Sequence, residues 1–198
     1  MTTESQRSVP LPVNALEWAL YERRAIRRYT DQPVDRGAIA HLLNMAVRAP
    51  SSMDAQPWAF AVYQGKEQLE EYAAAAARHL AGSLVHGGPH PMVRAYLAAE
   101  GRQLFHGAST LIVVCSTTDE EHGVRDCYLA ADHLMLAAHA AGLGTCPIGA
   151  ALEWLGLPQT RTQLALGDAI PVFPLVLGYP AERPTPTARR APHVITWR

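Results

Sequence analysis

Several signals are missing from this chain of 198 residues, and each absence removes a class of protein. Cysteine occurs three times, as Cys115, Cys127 and Cys146, with no CxxC pair. That odd count and wide spacing suit neither a disulfide framework nor a zinc site, and they fit a reducing, cytoplasmic setting. Nine histidines include no HExxH motif. Gly87-Gly88-Pro89 forbids the helical turn that would join His86 to His90, and His133 and His139, six apart on a predicted helix, face different ways. No metal is expected. There is no GxxxxGK loop, no GxGxxG after a strand and no GxSxG, so kinase, Rossmann dehydrogenase and α/β-hydrolase readings lack their central features. A formal net charge of −1 leaves no basic surplus for general nucleic-acid binding. The most apolar segment, Leu134 to Leu152, is interrupted by His139, Gly142, Gly144, Pro147 and Gly149, which argues against a membrane span. Met1 to Arg7 has no apolar core behind it, so a secretory signal is not expected either.

What is present is an ordinary core-forming composition, 48% hydrophobic and 18% charged, enough for one domain. Residues 1–13 read as a loose arm, and residues 14–198 as a single domain whose last stretch, about 180–198, is a Pro-rich arm ending in Val194-Ile195-Thr196-Trp197. Asn14 and Glu17 have capping-box spacing and open a short helix towards Arg23. Asp35 is a good N-cap, Val34 and Ile39 sit at staple positions, and Ile39, Leu42, Leu43, Ala46 and Val47 form one apolar face before Pro50. Strands are predicted at Trp58–Tyr63, at the β-branched run Leu111–Cys115 and at Val172–Leu177, where Pro174 suggests an edge or a bulge. Helices are predicted over 66–81, over Met92–Phe105 and over Arg125–Ala141 with Gly142 as its stop; Glu153–Leu166 is weakly helical. Residues 82–105 are the one candidate lid, with Tyr96, Phe105 and His106 at its entrance.

Two clusters suggest a ligand with an anionic end and a flat end. Arg23-Arg24-Ala25-Ile26-Arg27-Arg28 puts four guanidinium groups into six residues, and each fork of donors can grip two phosphate oxygens. Alone, the run reads first as a solvated basic surface. Ala49-Pro50-Ser51-Ser52-Met53-Asp54-Ala55-Gln56-Pro57-Trp58 supplies hydroxyls, turn amides and an indole, although Pro-Ser-Ser alone is only a turn and Trp58 also suits a core. Gly142, Gly144 and Gly149 fall within eight residues around Pro147-Ile148, allowing backbone to approach a flat ligand or merely connecting a helix to a strand. Arg189-Arg190 in the tail suits closure over a phosphate, or plain exposure.

In this order, from Trp18 to Trp197, the pieces resemble the FMN-dependent nitroreductase superfamily. The motifs that carry the resemblance are Arg23–Arg27, Ala49-Pro50-Ser51 through Gln56-Pro57-Trp58, Ala137-Ala138-His139-Ala140-Ala141-Gly142-Leu143-Gly144-Thr145 into Pro147-Ile148-Gly149, Leu177-Gly178-Tyr179-Pro180, and the arginines at 189 and 190. The resemblance implies an α+β fold, a mainly antiparallel central sheet wrapped by helices, in an intertwined homodimer whose C-terminal arms extend onto the partner. It implies FMN at the dimer interface, with Arg23, Arg24, Ala25 and Arg27 of one subunit, and Arg190 with Arg189, at its phosphate and ribityl end. Pro50, Ser51 and Ser52 of the other subunit would reach the isoalloxazine, and Pro147, Ile148 and Gly149 would present backbone to its edge. The implied activity is NAD(P)H-dependent reduction of a small-molecule acceptor, a nitroaromatic or quinone, with NADH or NADPH and acceptor bound in turn. No dedicated catalytic side chain is implied. The alternatives are flavin fragmentation, dehalogenation or heterocycle dehydrogenation on the same fold, or flavin binding without turnover.

Two positions depart from that pattern. Asp54 stands where the family usually has Asn; an ionised carboxylate only accepts hydrogen bonds, so facing the flavin's pyrimidine edge it would lower the reduction potential. Alternatively Asp54 serves only its own turn. Ala25 stands where Ser is common, which removes a hydroxyl and keeps the backbone amide.

Overall fold

A computed structural model describes residues 14–83, 103–185 and 187–198. The arm at 1–13, most of the helix expected at Met92–Phe105 and Tyr96 of the candidate lid lie outside the described residues.

Side-chain caps set the first two helices. Asn14 accepts from the Glu17 N–H at 3.0 Å and starts α1 (Ala15–Glu22). Asp35 accepts from Gly37 and Ala38 and starts α2 (Arg36–Ala46), with Val34 and Ile39 both buried as the staple requires. Among the described residues four strands follow: β1 (Trp58–Gln64), β2 (Thr110–Ser116), β3 (Gly144–Pro147) and β4 (Ile170–Gly178). They form one antiparallel sheet in the order β1-β2-β4-β3. Between β1 and β2 lies α3 (Lys66–Ser83), and between β2 and β3 the 20-residue α4 (Glu121–Ala140). After β3 come α5 (Leu152–Gly156) and α6 (Pro158–Gln163).

Every residue of β2 is buried, because both sheet faces are covered. Leu111, Val113 and Cys115 point into a core with Leu69, Tyr72, Ala76 and Trp154 from α3 and α5. Ile112 and Val114 point the other way, to Leu42, Ala46, Ala130 and Leu134 from α2 and α4. The period of two in the strand thus divides the apolar side chains between two helical layers. The architecture is the expected α+β arrangement of helices around an antiparallel sheet.

Several expectations change. The helix expected at Arg125–Ala141 starts earlier, at Glu121. It ends where expected: Gly142, at φ +76°, donates to His139, and the Leu143 N–H reaches back to Ala138, a Schellman stop. The stretch 153–166 is two short helices, because Pro158 opens a new one at its N-terminus. Phe105, expected near a lid entrance, is 1% exposed and belongs to the core. Pro174 lies on an interior strand, since β4 pairs with both β2 and β3. Its carbonyl accepts from the Ile148 N–H just past the end of β3, so the side where Pro174 lacks a donor faces the end of a four-residue strand. The bulge is a separate feature, with Phe173 opposite Val114 and Pro171 opposite Cys115.

The segment carrying the arginine run lies against the free side of β3. The Ile26 N–H donates to the Thr145 carbonyl at 2.9 Å, Ala25 bridges Thr145 in parallel, and Tyr29 bridges Pro180. This approach requires glycine at two paired positions, Gly144 and Gly178. A Cβ on Gly144 would sit 2.7 Å from Cγ1 of Ile26, and one on Gly178 would sit 2.8 Å from Cδ1 of Tyr29. Gly144→Ala is expected to destabilise the fold by about 1–3 kcal/mol through overpacking against Ile26. Urea unfolding measures it, and a midpoint equal to wild type would show that the 25–29 segment yields freely.

Candidate functional site

The arginine segment and the C-terminal arm together wall a cleft of about 330 Å³. Arg23, Arg24, Ala25 and Arg27 line one side, Pro184, Thr185, Thr187 and Arg189 another, and Met135 and Pro147 complete it. Four guanidinium groups and no carboxylate line this space among the described residues. Such a site favours an anion, since like charges drawn together repel unless a counter-charge sits among them. Arg190, the second of the expected pair, is exposed and does not line the cleft.

The arginines are not equivalent. Nη1 of Arg24 donates to the carbonyls of Tyr21 and Arg23 at 2.6 and 2.7 Å, closing the C-terminal end of α1. Its Nε is buried without a partner in the described structure, an orphan donor beside the cleft. The backbone N–H of Arg27 is held by Glu182 at 2.6 Å, which ties the arginine segment to the arm. Part of Arg24 is therefore structural, while the side chains of Arg27 and Arg189 make no described bond to the chain itself.

Pro50, Ser51, Ser52 and Asp54 form a separate feature. α2 stops at Ala46, and the chain turns through Pro50 into a single 3₁₀ turn at Ser52–Asp54. Met53, Asp54 and Gln56 all have positive φ, at 53°, 56° and 48°, a conformation that non-glycine residues rarely adopt. Met53 is fully exposed at 101%. Oγ of Ser51 accepts from the Gln56 N–H at 3.1 Å, and the Asp54 carboxylate accepts from the Gln56 side-chain amide at 2.8 Å. Asp54 thus has a partner within its own turn, the Gln56 side chain. Trp58 packs against the α2–α4 core, as the structural alternative for it anticipated.

At the exit of β3, Pro147 and Gly149 are exposed while the Ile148 side chain is buried. The Ile148 N–H is committed to Pro174 at 2.8 Å, so it is not free to meet a ligand. Gly149 has open space where a Cβ would stand, and it is the better candidate for backbone contact.

Within one chain the structure does not bring the arginine cleft and the Pro50–Asp54 turn together. Both rest on α4, but the turn bonds to Asp126 and the cleft meets Met135. Nine residues of helix, about 14 Å of axial rise, separate those contacts. The sequence offered no signal for Asp126, which nothing in α4 distinguishes from its other acids, Glu121 and Asp132.

A second hollow, of about 410 Å³, lies on the far side of Arg24, lined by Trp18, Glu22, His139, Glu182 and Arg183 among others. Trp18 stacks on His139 with ring centroids 4.5 Å apart and planes 22° from parallel. The three cysteines are buried, and burial pushes the Cys115 and Cys127 thiols up to about 11.

A family profile, the nitroreductase family, matches residues 20–179. The chain belongs to this family. One relative, an NADH dehydrogenase of Thermus thermophilus, is 30% identical over 95% of this chain and 98% of its own length. An FMN reductase [NAD(P)H] of Bacillus subtilis is 29% identical over 86% of this chain and 68% of its own. Among solved structures, a nitroreductase with bound FMN from Desulfitobacterium hafniense superposes with a TM-score of 0.79, at 21% identity, over 92% of this chain and 100% of that one. That likeness establishes a shared fold for this member of the family. No helix among the described residues is long and apolar enough to cross a membrane, and no cluster of metal-binding side chains occurs among them.

Burial of His139 beneath Trp18, reinforced by the charge of Arg23, holds its pKa below the ordinary value. The unfolded chain then takes up the proton at higher pH than the folded one. The contribution of neutral His139 is complete above the unfolded value near 6.5 and is lost as pH falls through the lower folded value. Wild type is expected to lose unfolding free energy on acidification more steeply than His139→Phe, which keeps a ring against Trp18. Urea titrations at pH 7.5, 6.5 and 5.5 measure this; parallel slopes would remove His139 as the cause.

Proposed function

We propose that this protein is an FMN-dependent NAD(P)H oxidoreductase that acts as a homodimer and reduces nitroaromatic, quinone or related small acceptors. The observation that carries the reading is the convergence of Arg23, Arg24, Arg27 and Arg189 on one cleft that no carboxylate lines among the described residues. A phosphomonoester satisfies that cleft. It offers two charges and several acceptor oxygens to guanidinium forks, and the orphan Nε of Arg24 adds a donor with nothing else to bind. The names of the Thermus and Bacillus relatives, and the FMN held by the Desulfitobacterium nitroreductase, agree with this chemistry.

When bound, FMN supplies hydride acceptance from a nicotinamide and electron delivery to an acceptor. The chain's own contribution is placement. Arg27 and Arg189 hold the phosphate, Arg24 holds both the phosphate and the end of α1, and Gly149 offers backbone where no Cβ intrudes. The Pro50–Asp54 turn faces the ring system from the partner subunit. Dimerisation is supported by the separation of turn and cleft along α4 and by exposed apolar groups. These are Leu16 and Leu20 on α1, Tyr128 and Leu129 on α4, and Ile195 and Trp197 of the arm, the last two each 90% exposed. Such a surface is covered best by a second copy.

The decisive measurement is the visible spectrum of the purified protein before and after anaerobic NADH or NADPH. A yellow protein bleached by a nicotinamide and re-oxidised by menadione is expected; a colourless protein that cannot be reconstituted with FMN would end the reading. Arg27→Ala and Arg189→Ala are each expected to weaken FMN retention about tenfold or more, for loss of a charge-assisted contact, without lowering the melting temperature of the apoprotein. Arg24→Ala should lower both, because it also releases the α1 carbonyls. Asp54→Asn separates the two roles of that side chain. If the carboxylate faces the ring, the midpoint potential rises, and an unchanged potential confines Asp54 to its bond with Gln56.

A further inference from the structure

Asp126 lies in the second turn of α4 and is only 5% exposed. Its Oδ2 accepts the backbone N–H of Ser52 at 2.9 Å. No other hydrogen bond or ion pair to its carboxylate occurs among the described residues. Buried carboxylates are rare without a partner, and this one has its partner on an exposed turn.

That turn is in a conformation the chain would not keep unaided. Met53, Asp54 and Gln56 are left-handed without being glycine, and such residues persist where their surroundings hold them. Most of the restraints travel with the turn itself: Asp54 N–H to Ser51, Ala55 N–H to Ser52, Gln56 N–H to Oγ of Ser51, and the Gln56 amide to Asp54. At the exit, Thr117 holds the Pro57 carbonyl through both its N–H and its hydroxyl. The middle of the turn is tied to the body of the protein by Asp126 alone among the described bonds. One turn earlier on the same face of α4 is Gly123, where a Cβ would stand 2.4 Å from Cγ2 of Thr118 and 3.5 Å from Cβ of Pro57. Gly123 leaves room for Thr118 against the helix beside Pro57, and Asp126 fastens the turn to that helix.

We propose that Asp126 is a positioning residue for FMN: by accepting the Ser52 N–H, its buried carboxylate fixes the Pro50–Gln56 turn in the conformation that meets the flavin ring. The inference rests on the FMN reading above. It assigns Asp126 no contact with the cofactor and no proton to transfer. Its work is to keep one face of the ring's site from swinging on its two end tethers.

Four variants separate this role from general stability, read by FMN titration of the apoprotein and by thermal melting. Asp126→Ala removes the acceptor, and Ser52→Pro removes the donor without touching a buried side chain. Ser51 is already extended at φ −137° and ψ 152°, as a residue before proline must be. Asp126→Asn keeps an acceptor oxygen, and Ser52→Ala keeps the N–H while losing the hydroxyl. Asp126→Ala and Ser52→Pro are each expected to weaken FMN binding about tenfold or more, and the double variant no further than the weaker single one. Asp126→Asn is expected to stay within about threefold of wild type, since the hydrogen bond survives, and Ser52→Ala, which loses only the hydroxyl, is the baseline from which the effect of removing the N–H in Ser52→Pro is read. Wild-type affinity in Asp126→Ala, or additive losses in the double variant, would overturn the proposal. If Asp126→Ala does not fold, Ser52→Pro against Ser52→Ala decides alone, and equal affinities overturn it. Failure of the wild-type apoprotein to bind FMN is a different result, which removes the FMN reading itself.

Discussion

The close approach of residues 25–29 to the β3–β4 edge is the constraint on which the candidate site depends. Two paired glycines, Gly144 and Gly178, leave room for Ile26 and Tyr29 to sit directly over backbone. The Ile26 N–H and the Tyr29 hydroxyl then complete hydrogen bonds to Thr145 and Ile26. With that segment pinned, Arg23, Arg24 and Arg27 face one space, and the Glu182 bond to Arg27 draws the arm in to add Arg189. Without the pinning, the arginine run would be the solvated charge cluster that its composition also allows.

α4 is the second organising element. Its buried side carries Cys127, Ala130, Ala131, Leu134 and Ala138 into the core beneath the sheet, and small residues there let α2 pack close. Its first half supports the 52–57 turn, and its second half supports the cleft and the Trp18–His139 stack. A single helix thus sets the distance between the turn and the cleft. In the proposed homodimer, two such helices would let the turn of one copy complete the cleft of the other.

Much of the frame was legible in the residues. The β-branched run at 111–115 reads as a covered strand, Asp35 as a cap and Gly142 as a stop, because each rests on local chemistry. Where the reading failed, it lacked long-range knowledge. Pro174 reads as an edge residue unless one knows that the neighbouring strand is four residues long and ends beside it. The Ile148 N–H looks available until Pro174 is found opposite. The break at Pro158 is hidden by a weak helical pattern that continues across it. Of the candidate site, the arginine cleft was legible as a cluster of charges. Asp126 was not, because an acid inside a helix carries no sign of which distant amide it serves.

The cysteines have a practical consequence. Cys115, Cys127 and Cys146 are all buried, and burial holds each thiol protonated well above neutral pH. Only the thiolate attacks alkylating probes at a useful rate. Towards a maleimide at pH 7 the folded chain therefore behaves as though it had no cysteine, and a single thiol placed on the exposed arm becomes a selective handle. A dye or spin label there would report whether residues 187–198 change surroundings as protein concentration rises, with no need to strip the native sulfurs from the core first.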